Sequence, residues 1–315
     1  MKTTMKNKYL LFAAAALTLT ACSNDDENLN GGPVAAQVTA GIGGVQTRAS
    51  GTVWENGDAI GISTTSQSQT SYVNMKYTTV GDGNFTHAAE LGGEDSGMFF
   101  QDADETVTFC AYYPYDEDSN EESLPGEEGI ITDVTTTDQT KQSSFDFLFA
   151  TGATASKSSP TVSFSNMVKE NTGFTHRMSR LVLNITTDAN AGFAASDVAK
   201  GTYFLSGIKH SGTFDTQNGT ATATGEPTPD WQITAANTGT GDKSTYSMIL
   251  YPQQNASLTF KATINGQDYT CVLTPALAAA TSYTYNITVK KTKLEVSNCE
   301  IADWGSGATV DIDAK

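Results

Sequence analysis

The stretch LTFKATINGQDYTCVLT, Leu258 to Thr274, sets the fold class. Leu258, Phe260, Ala262 and Ile264 alternate with Thr259, Lys261 and Thr263, the period-two pattern of a strand with one face on a core. Asn265-Gly266 comes next. A type I′ turn needs positive φ at both central residues, and Asn followed by Gly reaches it at least cost, so the stretch reads as an antiparallel hairpin. The same alternation recurs outward in both directions. RLVLNIT places Leu181, Leu183 and Ile185 on one face with Val182 opposite, and TSYTYNITV alternates Tyr283, Tyr285, Ile287 and Val289. TVTFCAYYPY reads as a strand ended by Pro114, which has no N–H for a central ladder. TYFLSGIKHSGTFDTQNGT reads as two short strands with a turn at Asn218-Gly219. Helical patterning is weak and confined to Phe193–Ala199 and Ala276–Ala280. Many short strands between Gly, Asn and Asp turns predict an all-β protein of the sandwich type.

Charge divides the chain. Of a net −17, residues 49–140 carry 18 acidic residues against the single basic Lys76, whereas residues 141–315 carry 14 acidic and 13 basic. Such asymmetry predicts two domains, and the Ser/Thr/Gly-rich ATGATASKSSPT places the break near 160. The expected organisation is an acidic N-terminal sandwich over 49–160 and a C-terminal sandwich over 161–315. An acidic front half repels phosphate backbones, which excludes nucleic acid as a partner.

The N-terminus carries an export signal. Lys2, Lys6 and Lys8 precede an apolar run from Tyr9 to Ala21, too short for a permanent span but suited to a secretory leader over 1–21. Leu19-Thr20-Ala21-Cys22 resembles the bacterial lipobox, which makes Cys22 the lipidated first residue and anchors the chain at a membrane through its acyl groups. The acidic Ser23–Glu27 that follows resembles the tag sending lipoproteins to the outer face of the outer membrane.

No catalytic constellation or cofactor motif is legible. His87, His176 and His210 fall in no metal-binding spacing. His176, in FTHRMSR, reads as a structural histidine at a strand start. GTGDKST departs from the phosphate loop at Asp242. DEDSNEESLPGE places Asp116, Asp118, Asn120 and Glu127 at calcium-loop positions, yet Glu121 replaces the required Gly and Pro125 intrudes, so a solvated acidic loop is expected. Cys110, Cys271 and Cys299 lie in or beside strand-like runs, as small buried hydrophobes do. Being three, they allow one disulfide at most.

A series of segments in order carries a family resemblance: TRASGTVWENGDAIGIS (47–63), FCAYYPY (109–115), DFLFAT (146–151), FTHRMSRLVLNI (174–185), MILYPQ (248–253), TSYTYNITV (281–289) and IADWGSG (301–307). Together they resemble the fimbrillin family, subunits of type V pili. The resemblance implies two tandem transthyretin-like β-sandwich domains, a lipoprotein precursor, cleavage by an arginine-specific protease, and assembly with other copies or related pilus subunits at the outer cell surface. The family holds stalk, tip and anchor subunits, and these segments do not separate them.

The residues supply a fitting mechanism. Val34, Ala36, Val38, Ala40 and Ile42 alternate with smaller or polar residues, the pattern of a half-buried strand. It lies between Cys22 and Arg48, so a cut between Arg48 and Ala49 would release it with the lipidated propeptide 22–48. The vacated lane would invite another strand. At the far end Ala308, Val310, Ile312 and Ala314 repeat the pattern, so one subunit's tail could replace the first strand of the next. Two alternatives stand beside this: both segments as permanent edge strands of one monomer, or a surface lipoprotein that binds glycans through Trp54, Trp231 or Trp304.

Overall fold

The computed structural model describes residues 32–42, 53–66, 70–87, 97–164, 172–187, 190, 192–254, 257–304 and, as backbone, 309–312. The expected hairpin is present. Leu258–Ile264 and Gln267–Leu273 pair antiparallel from Leu258 opposite Leu273 to Ile264 opposite Gln267, with Asn265 and Gly266 at φ +52° and +77°. This hairpin joins Thr202–Ser206 and Trp231–Gln232 in a four-stranded sheet. A five-stranded sheet faces it, in the order Ser244–Leu250, Ser179–Thr187, Thr281–Lys290, Lys293–Asp303 and Thr309–Ile312. Leu181, Leu183 and Ile185 from one sheet meet Leu205, Leu258 and Phe260 from the other in a shared core, each fully buried. Burial of each such side chain contributes about 1.5–3 kcal/mol, which is what alternation delivers when two sheets close on each other.

The front half is an eight-stranded sheet. Its order is Thr161–Phe164, Gln37–Ala40, Asn84–His87, Met75–Thr79, Ala59–Thr64, Thr106–Tyr113, Leu148–Ser156 and Thr175–His176. The consecutive strands Leu148–Ser156 and Thr161–Phe164 sit near opposite ends of this order yet are joined by a short turn, so the sheet curls back on itself. Ile60, Ile62, Phe109, Val107, Val162 and Phe164 fill its interior.

Sheet pairing crosses the expected break at 160. The Ser/Thr/Gly-rich segment makes the turn Ser156–Ser159, after which Thr161–Phe164 returns to the front sheet and Thr175–His176 still pairs with Leu148–Phe149. Small polar residues make tight turns within a sheet as readily as linkers between domains. The front core ends at Phe174 and the back core begins at Leu181. A third cluster, with Phe147 stacked on Phe214 at 4.4 Å and Tyr251 beside them, joins the two, and Pro33–Lys315 form one compact unit.

Two local expectations change. Ala276–Ala280 is irregular backbone and turn, not helix: Leu277 and Ala280 have φ of +43° and +54°, and Leu277 is fully buried. At the other candidate the helix is the single short turn Ala195–Ala199.

Candidate functional site: the lane of the first strand

The first segment enters the body in two steps. Val34–Ala35 pairs antiparallel with Phe99–Phe100, then Gln37–Ala40 passes into the eight-stranded sheet. There it is an interior strand. On one side it runs parallel to Thr161–Phe164, from Gln37 opposite Thr161 to Ala40 opposite Phe164, and on the other Val38 and Thr39 lie opposite Phe85 and Asn84. The Ala36 N–H donates to the Met98 carbonyl at 2.8 Å, Ala40 to Gly83 at 2.9 Å and Gly41 to Phe164 at 2.8 Å. Side chains follow the expected alternation. Val38 and Ala40 are buried at 3% and 8% exposure, Ala36 and Ile42 are half-buried against the same core, and Ala35 and Gln37 face out. A cavity of about 400 Å³ runs beside the strand, lined among others by Ala36, Val38, Tyr77, Phe85 and Met98.

One side chain outside the sheet also holds the strand. The Trp54 indole N–H donates to the Ala40 carbonyl at 2.8 Å, and the ring packs edge-on against Phe85, Tyr113 and Phe174. The sequence marks Trp54 as an aromatic six residues after Arg48 and as a candidate glycan contact, not as an anchor of the first strand. Nothing local announces its acceptor, or that the parallel neighbour of the first strand lies more than a hundred residues on.

At the other end, Thr309–Ile312 pairs antiparallel with Lys293–Asp303, Val310 opposite Ile301 and Ile312 opposite Cys299. It is the terminal strand of the five-stranded sheet, with a single hydrogen-bonded neighbour among the described residues. Trp304, just before it, stacks on His176 at 3.9 Å, and its backbone N–H donates to the Ala280 carbonyl. His176 is fully buried with Nδ1 2.8 Å from Asp146 Oδ1, a structural histidine as its sequence setting suggests. Cys22, Arg48, Ala49, Ala308 and Ala314 lie outside the described residues.

Other candidate sites resolve differently. Trp54 and Trp231 are buried at 6% and 7% exposure, and Trp304 is half-buried under His176, so the three tryptophans do not form the exposed platforms that glycan stacking needs. Instead of facing a ligand, the acidic loop is stapled to a neighbouring strand. Lys76 Nζ meets Glu117 at 2.6 Å, His87 Nε2 meets Glu121 at 3.1 Å, and the Asn74 amide donates to Ser119 and to the Asn120 carbonyl. No grouping of three metal-ligating side chains occurs among the described residues. Cys110, Cys271 and Cys299 are unbonded, and burial pushes the thiols of Cys110 and Cys271 up to about 11. No helix of the described residues is long and apolar enough to cross a membrane.

The comparisons with known proteins converge. The sequence profile of the fimbrillin-like family matches residues 47–304. The chain belongs to the fimbrillin-like family. This fimbrillin-like chain is 29% identical over 321 residues to a Bacteroides uniformis protein named "Putative fimbrium subunit Fim1C", with 96% of the chain and 97% of that protein covered. Its fold is similar to the crystal structure of a putative cell adhesion protein from Bacteroides ovatus, with TM-score 0.69, 26% identity, and 86% and 98% of the two chains covered. A putative cell adhesion protein from Bacteroides uniformis compares similarly, with TM-score 0.65, 27% identity, and 87% and 98% covered.

Proposed function

We propose that this protein is a structural or accessory subunit of a type V pilus at the cell surface, exported as a lipoprotein on Cys22 and supporting adhesion. In this reading an arginine-specific protease cuts between Arg48 and Ala49, the first strand leaves with the propeptide, and another copy's tail takes its lane. The protein acts by assembly and needs no cofactor. Two tandem sandwich domains of transthyretin type fit this reading, with the boundary moved from 160 to between Phe174 and Leu181, so that Thr161–Phe164 stays with the front body that carries the lane and the back body carries the tail.

The observation that carries the proposal is the interior position of Gln37–Ala40. Removing an edge strand exposes one row of backbone groups. Removing this one leaves facing rows on Thr161–Phe164 and Asn84–His87, together with the core that Val38 and Ala40 cover. Such an opening has a strong demand for an extended, alternating occupant. The tail offers that pattern at Ala308, Val310, Ile312 and Ala314, and as the terminal strand of its own sheet it can peel away without breaking interior pairing.

Inter-copy cross-linking tests the proposal. Asp311→Cys in one copy and Ser163→Cys in another should give a disulfide between copies after proteolysis, with the acceptor beginning at Ala49 by mass spectrometry. Polymers whose acceptor subunits still carry residues 34–42 would overturn it.

A further inference from the structure

The lane contains a hydrogen-bond donor that belongs to no strand. Ala40 sends its N–H to the Gly83 carbonyl, where the Asn84–His87 ladder gives way to a turn, and its own carbonyl receives the Trp54 indole N–H. Trp54 thus extends the ladder by one side-chain donor on the side where the Asn84–His87 pairing stops, while on the other side Gly41 and Ile42 go on to pair with Phe164 and Phe174. Its ring is held at 5.1 Å by Phe85, 5.4 Å by Tyr113 and 5.2 Å by Phe174, three residues outside the first strand. None of these three ring contacts is made by the first strand itself.

An indole N–H buried without an acceptor is costly, and at 6% exposure water reaches this one poorly. The donor reads a main-chain carbonyl, which every residue carries, so it is indifferent to the occupant's sequence. It responds to reach: a strand that stops short of the Ala40 position leaves the indole bare.

We propose that Trp54 gauges whether an occupying strand is seated as far as the Ala40 position, the last on the Asn84–His87 side of the lane. The occupant is an extended, alternating strand. Before maturation it is the chain's own first strand. Afterwards, on the strand-replacement reading above, it is the tail of a second copy.

The test uses the full chain and Trp54→Phe, which keeps an aromatic ring and loses the donor. Residue-resolved hydrogen exchange should show the Ala40 and Gly41 amides exchanging about three- to tenfold faster in the variant, in line with one net hydrogen bond. Amides of Leu181–Ile185 should stay unchanged. No difference at 40–41, or uniform acceleration through the chain, overturns the proposal. In the wild type the Trp54 indole hydrogen should be protected, and Val38→Asp, which loosens the strand, should expose it; continued protection there also overturns the proposal. Polymers of cleaved protein separate this inference from the functional reading. If cleaved wild type never accepts a second copy's tail, the functional reading and the gauge's role toward that tail both fail, while the exchange arms decide its role toward the first strand. If wild type and Trp54→Phe polymers form and dissociate at the same rate, the gauge fails alone.

Discussion

His210 sits at 3% exposure with Nδ1 2.9 Å from Thr136 Oγ1 and the Trp231 ring 4.4 Å away, while its Nε2 has no hydrogen-bond partner. Burial lowers its pKa from 6.5 to about 4, against an opposing hydrogen bond from Thr136. The unfolded chain therefore takes up a proton below pH 6.5 that the folded chain refuses until about pH 4. Stability from this residue is complete above pH 6.5 and is lost as pH falls through that window, by up to roughly 3 kcal/mol. Thermal melts between pH 7 and 4.5 should fall more steeply for wild type than for His210→Gln; parallel curves would remove His210 as the cause. Single residues were unevenly legible in the sequence. His176 was readable as structural because it opens an apolar strand run. Trp54 was not, because its acceptor is a backbone carbonyl on a strand fourteen residues earlier whose place in the sheet depends on remote pairing.

Elements with their own turn chemistry were legible at once. Asn265-Gly266 fixes a hairpin whatever surrounds it, and the alternation of Tyr283, Tyr285, Ile287 and Val289 became one buried face. Ala276–Ala280 misled because alanine favours helix, while burial of Leu277 and the return of the chain to Thr281–Lys290 impose left-handed backbone there. The first strand was visible by alternation, but its interior position was not, since its parallel partner Thr161–Phe164 lies where composition suggests a linker. Ala302 and Thr309 are directly opposite, so Ala302→Cys with Thr309→Cys should form a disulfide within the monomer. Oxidised, this protein should fail to donate its tail, and reductant should restore growth. Assembly at the wild-type rate while oxidised, measured by light scattering, would show that the tail strand need not leave its own sheet.

The front half of the molecule carries nearly all the net charge, and Lys76, the single Lys or Arg between 49 and 140, is spent on the acidic loop through Glu117. Self-repulsion on that scale opposes compaction and is relieved by salt. The melting temperature should therefore rise between about 10 mM and 300 mM sodium chloride, where the Debye length shrinks severalfold. Calcium at matched ionic strength should add nothing further, and a chelator-reversible increment abolished by Asp118→Ala would identify a metal site in the loop. The charge boundary is a surface property, whereas the core changeover between Phe174 and Leu181 follows pairing and packing. In the proposed assembly the interior first strand is a removable occupant. Purified full-length wild type and Arg48→Ala, each treated with an arginine-specific protease and run unboiled on a gel, test this most directly. Wild type should give a ladder whose acceptor subunits begin at Ala49, and Arg48→Ala should stay a monomer that keeps residues 34–42. Equal ladders from both proteins would contradict the account.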